Sequence, residues 1–246
     1  MTAGGFDVIV LPQIPSGSMT ISTVERLGRR HGWHTGQWTA PVAPVIRLQR
    51  DHDRFFSGLP SGCRTNLIKR DARLRRTGAV DIEVITNREA VDQAMQDGLR
   101  IEAAAWKGRQ GTAIASDPAA TAFYVRLAKR LADRGQLRLT FLRAGGKRIA
   151  LNYILQNRKK LYAVKIGYDP DYRTYSPGNM LLNLVLKDAC RDGIEEFDLL
   201  GGDDKWKFEW TNETRDHRWL FLFRNRLRPR LLHYLKFGVV PAWKRL

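Results

Sequence analysis

Residues 168–210 read Y-D-P-D-Y-R-T-Y-S-P-G-N-M-L-L-N-L-V-L-K-D-A-C-R-D-G-I-E-E-F-D-L-L-G-G-D-D-K-W-K-F-E-W. The order is a strand end, a turn built on Ser176-Pro177-Gly178, a buried helix, a short strand, and a Lys- and Trp-rich segment. The helix from Asn179 to Arg191 is apolar at Met180, Leu181, Leu184, Val185, Ala189 and Cys190, with polar residues at helical spacing between them and Gly193 as its C-terminal stop. A Gly-bearing turn that opens a helix collects free backbone N–H groups and a positive helix end at one point. Such a point suits a phosphate or pyrophosphate.

Working outward, the preceding residues predict strands at 80–86, 137–143, 147–156 and 160–168, with helices at 88–106 and 117–134. Gly145-Gly146 joins two of the strands as a two-residue hairpin turn. After the quoted stretch come an apolar strand at 218–224 and a helix at 228–237. A helix set among strands that are otherwise sequential neighbours predicts an α+β fold with a mixed, mostly antiparallel sheet. The N-terminal residues predict a strand at 6–11, a helix at 18–31, and hairpin arms at 34–39 and 45–49 around Pro41 and Pro44. A sharply basic helix follows at 64–77, with six basic side chains against one acid.

The chain has 246 residues, 42 Lys and Arg against 25 Asp and Glu, and a net charge of +17. That balance calls for a polyanion, an anionic surface or a negatively charged substrate. No apolar run reaches membrane-spanning length and the N-terminus lacks signal-peptide character, so a cytoplasmic setting is expected, with peripheral contact at the inner face of the membrane as a further option. Cys63 and Cys190 stand alone and are expected to be reduced. The five histidines form no H-E-x-x-H, and no metal site is expected. Gly145-Gly146-Lys147 is too short for a phosphate-binding Walker loop, there is no G-x-S-x-G, and Asp51-His52-Asp53 reads as the surface start of a polar helix.

Arg173-Thr174-Tyr175-Ser176-Pro177-Gly178 has the form R-x-x-S-x-G. It resembles the Q/R-x-x-G-x-G/A signature with which GNAT acyltransferases hold the pyrophosphate of coenzyme A, with Ser176 in place of the first glycine. A wider set of motifs runs in order: Glu102 to Gly108 with Trp106 and Lys107, Tyr168-Asp169-Pro170, Tyr175 to Gly178, Phe197-Asp198, and Leu200-Gly201-Gly202. Together they resemble the CelD-like (cellulose biosynthesis) group of GNAT-superfamily acyltransferases, which is related to the Fem transferases that add amino acids to peptidoglycan precursors. The match runs from about Arg64 to Arg226. The resemblance implies a complete GNAT-like domain over 61–226, preceded at 1–60 by the closing half of a shortened first unit and followed at 227–246 by a basic amphipathic helix.

The resemblance also implies a chemistry. Acyl transfer needs a polarised carbonyl, an amine that loses a proton, and a means of holding the two together. In this fold the carbonyl would meet strand amides, here expected between Val164 and Tyr168. Asp203, Asp204, Glu209, Tyr168 and Tyr175 are the candidates for proton transfer. Lys207, in Trp206-Lys207-Phe208, resembles the lysine of a Phe-Lys pair in Fem transferases, whose cation would stabilise developing negative charge; the competing reading is a solvated lysine. Lys207, Asp204 and Tyr168 are thus the expected catalytic set, and Arg173, Ser176, Gly178 and Asn179 the expected donor-binding set. Trp106 and Trp210 read as core.

From His217 onward there are eight Lys and Arg and no acid, interleaved with Leu231, Leu232, Tyr234, Leu235, Phe237 and Trp243. Either this helix docks its apolar face on the domain, or it lies on anionic lipid or meets a polyanion such as tRNA or a lipid-linked precursor. Three functional readings follow. The first is transfer from acetyl-CoA or another acyl-CoA to an amine on a cell-envelope saccharide or its precursor. The second is an aminoacyl-tRNA donor acting on a peptidoglycan precursor. The third is a basic membrane- or polymer-binding module without turnover.

Overall fold

A computed structural model describes residues 6–104, 114–202 and 204–239. The chain divides into two compact units: residues 1–44, 201–203 and 214–246 form one, and residues 45–200 and 204–213 the other. This division differs from boundaries at 60 and 226. The strand before the C-terminal helix groups with the N-terminal residues, and residues 45–60 group with the central ones.

The first unit holds β1 (Val8–Pro15), α1 (Met19–Arg30), most of β2 (His34–Arg47), β8 (Thr214–Phe223) and α7 (Leu227–Tyr234). β8 runs between β1 and β2, antiparallel to both. The hairpin expected around Pro41 and Pro44 is absent, because β2 is one strand that bulges between Ala40 and Ala43. The physical reason is that proline lacks the ladder N–H, and a bulge lets it sit in a strand without breaking it. A Ser18 cap on the Thr20 N–H (3.2 Å) starts α1, which buries Ile21 and Gly28.

The second unit orders its strands β2-β7-β6-β5-β4-β3, with only residues 45–47 of β2 taking part. These strands are β3 (Val80–Ile85), β4 (Leu137–Ala144), β5 (Lys147–Asn157), β6 (Lys160–Tyr168) and β7 (Glu196–Asp198). Gly145 and Gly146, at φ +56° and +79°, turn β4 into β5. Every pairing is antiparallel except β6 with β7. Alternate residues of β4 and β5 feed two cores. Leu139, Phe141, Leu151 and Tyr153 meet α4 (Val91–Ala104) and α5 (Pro118–Asp133) on one face. Leu142, Ala150 and Ile154 meet α3 (Ser61–Arg75) and α6 (Pro177–Arg191) on the other. Gly167 lets α4 lie close against β6, since a Cβ there would come within 3.0 Å of the Glu102 Cα. The result is the α+β fold with a mixed, mostly antiparallel sheet.

His52, in α2 (His52–Gly58), is not at the surface. Asp51 caps this helix through the Arg54 N–H (3.0 Å), while the His52 ring stacks on Phe56 and meets Asn183 Oδ1 at 3.2 Å. The polar run Asp51-His52-Asp53 hides this burial because the ring partners, Phe55 and Phe56, come later in the helix and the polar partner, Asn183, lies on α6.

A helix mouth and a parted strand pair

β6 and β7 are parallel only over Lys160–Tyr162 and Glu196–Asp198. β6 then continues six residues to Tyr168 with β5 as its neighbour, bulging by one residue at Val164. The two strands therefore part, and parallel pairing puts both of their C-terminal ends on one edge. Tyr168 and the mouth of α6 follow β6 on that edge, and the loop carrying Leu200 follows β7.

After Tyr168, Asp169 is buried and accepts from the Asp171 N–H (3.1 Å), starting a short 3-10 helix over Pro170–Tyr175. Its other oxygen is 3.1 Å from Lys147 Nζ, and this hydrogen bond and ion pair raise the Lys147 pKa. Ser176 ends the 3-10 helix in the left-handed region at φ +49°, a conformation that costs a non-glycine residue ~1–2 kcal/mol. Pro177 opens α6 at the first helical position, where its missing N–H is no loss. The Ser176 carbonyl accepts the first helical bond from Met180 N (3.1 Å), and the Ser176 side chain makes no cap. Among the described residues, no acceptor meets the Gly178 or Asn179 N–H.

The mouth stays uncapped, and two arginines of α3 stand beside it. Arg70 Nη1 donates to Ser176 Oγ, and Arg73 Nη2 donates to the Thr174 carbonyl (2.9 Å) while its guanidinium lies 4.7 Å over the Tyr175 ring. Spacing of three puts both arginines on one face of α3. Arg173 is exposed, its carbonyl taking the Ser176 N–H (3.1 Å), and Gly178 and Asn179 are half-buried. Tyr168 Cδ1 would lie 3.7 Å from a Cβ on Gly178, so that ring borders the mouth. The turn thus brings together Tyr168, Arg173, Ser176, Gly178 and Asn179. Arg70 and Arg73 were missed from sequence; their signal was the sharply basic helix, which nothing in the spacing tied to this turn.

Lys207 lies on a 3-10 turn over Lys205–Glu209 and is 4% exposed, so it is not a solvated lysine. Its Nζ donates to the Leu200 carbonyl at 3.0 Å, is 3.1 Å from Asp204 Oδ2, and lies 5.9 Å over the Trp206 ring. Leu200 is itself held at φ +52°, its N–H on Asp198 Oδ1 (2.8 Å). Asp204 is exposed on its outer side. Trp206, Tyr168, Tyr172 and Tyr175 all border the same apolar core, in which Trp210 is buried. Glu209 is exposed, and its charge adds to burial in raising the Cys63 thiol pKa. Asp203, Trp106, Lys107 and Gly108 lie outside the described residues. Among the described residues, no cluster of three His, Cys, Asp or Glu could hold a metal, and no helix is long and apolar enough to cross a membrane.

The family model described as an acetyltransferase (GNAT) domain matches residues 61–208. No curated protein matches the chain. Among solved structures, FemX is similar with a TM-score of 0.60 at 12% identity, over 93% of this chain and 74% of that one. L-PGS from Bacillus licheniformis is similar with a TM-score of 0.57 at 12% identity, over 92% of this chain and 70% of that one. At such identity the likeness is one of fold.

Proposed function

The chain belongs to the acetyltransferase (GNAT) domain family, and from that membership we propose that it moves an acyl group, in the leading reading an aminoacyl group, from a phosphate-bearing carrier to an amine on a cell-envelope precursor. The observation that carries the proposal is the uncapped mouth of α6, where the Gly178 and Asn179 N–H groups lack internal acceptors and Arg70 and Arg73 stand beside them. Helix-end amides with flanking guanidiniums suit an anion.

In this reading Arg70, Arg73, Arg173 and the two amides hold the donor's phosphate. β6 beyond Tyr162 offers its edge to the acyl carbonyl. As the amine attacks, the carbonyl π electrons move onto oxygen, and the carrier leaves when they return. Lys207 fixes the loop after β7 through the Leu200 carbonyl and sets a positive charge there for the developing oxyanion. Asp204 or Tyr168 takes the proton shed by the amine, and Tyr168, at the donor end, is placed to return one to the leaving carrier.

An aminoacyl-tRNA donor is supported over acyl-CoA by three features. Ser176 replaces the glycine of the coenzyme A motif and draws Arg70 across the turn. The basic face of α3 and the net charge of +17 suit a long polyanion. The FemX-like and L-PGS-like folds extend over nearly the whole chain. Acyl-CoA is kept as a second reading by the open amides and the rest of the motif. The CelD-like placement rests on the sequence motifs, and residues 1–60 as the closing half of a first unit on the order of strand, helix, strand and strand read in their sequence.

Binding at moderate salt separates the donors. A non-hydrolysable aminoacyl-tRNA should bind more tightly than the same tRNA uncharged, with acetyl-CoA weaker than either. Saturable acetyl-CoA binding by calorimetry, together with equal affinity for charged and uncharged tRNA, would install the second reading in place of the first.

A further inference from the structure

The C-terminal helix carries two apolar faces; among the described residues, one docks on protein and the other is largely exposed. Pro229, His233 and Phe237 recur at spacing of four. Pro229 is buried, His233 Nε2 lies 3.1 Å from the Thr35 carbonyl, and the Phe237 ring meets Phe221 (5.7 Å) and Trp38 (5.8 Å) edge-on. That face docks α7 and the residues after it on β2 and β8. The second face holds Leu227, Leu231, Tyr234 and Leu235, again at helical spacing, and all four are exposed, Leu227 by 88% and Leu231 by 58%. Leu232 and Leu235 also border an open groove of about 420 Å³ against Val8, Val10, Trp38 and Phe221. Arg226, Arg228 and Arg230 are exposed at the start of this helix and within it, Arg224 is half-buried just before it, and Lys236 is half-buried with its Nζ 4.0 Å over the Trp38 ring. Among the described residues, the carboxylate paired with any of them is Asp7, 3.6 Å from Arg228.

We propose that this face is the seat of a peripheral membrane contact, with Leu227, Leu231, Tyr234 and Leu235 entering the interface of an anionic phospholipid bilayer and the exposed arginines meeting its phosphates. The occupant follows from charge complementarity and from the apolar residues together. A second copy of this chain would bring the same arginines and repel. RNA phosphates would use the arginines and leave the outward leucines in water. Lipid satisfies both, as interfacial helices do with leucine on one side and basic residues on the other. The inference does not depend on the identity of the acyl donor.

The test is co-sedimentation of the full chain with vesicles of phosphatidylcholine alone and of phosphatidylcholine with phosphatidylglycerol. Binding is expected to the anionic vesicles and not to the neutral ones. Leu227→Ser with Leu231→Ser should weaken it at least ~10-fold, from the lost apolar burial. Arg226→Gln with Arg230→Gln should weaken it ~25-fold, about fivefold per cation near the surface. All four side chains are exposed, so an unchanged thermal midpoint in both variants is expected and shows that folding is not the cause. Three results overturn the proposal: no binding to anionic vesicles, binding that the leucine variant leaves within twofold of wild type, or a leucine-dependent dimer in sedimentation without vesicle binding.

Discussion

Arg70→Gln should cripple donor binding while leaving the fold intact. In the structure one guanidinium nitrogen is committed to Ser176 Oγ, which leaves the others of its five donors for a ligand at the helix mouth. A charge-assisted hydrogen bond to a phosphate is worth ~1.5–3 kcal/mol, so its loss should raise Kd about 10- to 150-fold. An independent figure agrees: unit charges ~5 Å apart at an effective dielectric of ~20 attract by ~3 kcal/mol before salt screening. Gln is a good helix former, and the change sits on a half-exposed face of α3, so stability should move by no more than ~0.5 kcal/mol. The assay is anisotropy with a labelled non-hydrolysable aminoacyl-tRNA across a salt series. The slope of log K against log salt should become shallower by ~0.7, the loss of one single-strand phosphate contact. Because Ser176 orients the guanidinium, Arg70→Gln should cost less in a Ser176→Gly background, with a coupling of at least ~0.5 kcal/mol. A Kd within twofold of wild type and an unchanged slope would refute the reasoning.

Three further outcomes are expected. Lys207→Met keeps the buried volume but strips the Leu200 carbonyl and Asp204 of their cation; transfer should fall at least ~100-fold, with ~1–3 kcal/mol lost in urea unfolding, and an undiminished rate would remove Lys207 from the chemistry. Gly167→Ala pushes a methyl to 3.0 Å from the Glu102 Cα and should cost ~1–3 kcal/mol by thermal unfolding through displacement of α4 from β6. Glu83 accepts two hydrogen bonds from Arg148, at 2.7 and 2.8 Å, which hold its carboxyl below the ordinary value of 4.5. A depressed folded pKa gives stability that is present above the unfolded value and lost as pH falls through the folded one. Glu83→Gln should therefore cost ~1.5–3 kcal/mol at neutral pH, and urea unfolding in increasingly acid buffer should show the gap to wild type closing below pH 4.5.

The fold was legible where apolar residues carry a period. The runs at 137–143, 147–156 and 160–168 become β4, β5 and β6, and the spacing from Met180 to Cys190 becomes α6 with its apolar face in the core. Pro41 and Pro44 misled because local chemistry reports the missing N–H and not the bulge that accommodates it. The turn at Ser176 was legible as a helix opening, but its arginines were not, since Arg70 lies 106 residues away and only tertiary packing of α3 joins them. Lys207 was legible as a candidate from Trp206-Lys207-Phe208, with a solvated lysine as the competing reading; its burial was not, since the Leu200 carbonyl that holds its Nζ belongs to a residue in the left-handed region, a conformation no leucine announces. In α7 the apolar spacing was visible, yet helix period alone does not say which of two apolar faces docks. Pro229, His233 and Phe237 do so, through a backbone hydrogen bond and an aromatic cluster.

The most direct test of the account concerns two backbone amides. In nitrogen–proton correlation spectra of the labelled protein at moderate salt, titration with the aminoacyl-tRNA acceptor end should move the Gly178 and Asn179 resonances most, with saturation matching the binding curve. Binding that saturates while both resonances stay in place would show that the donor's phosphate lies elsewhere, and the mouth of α6 would lose its assigned role.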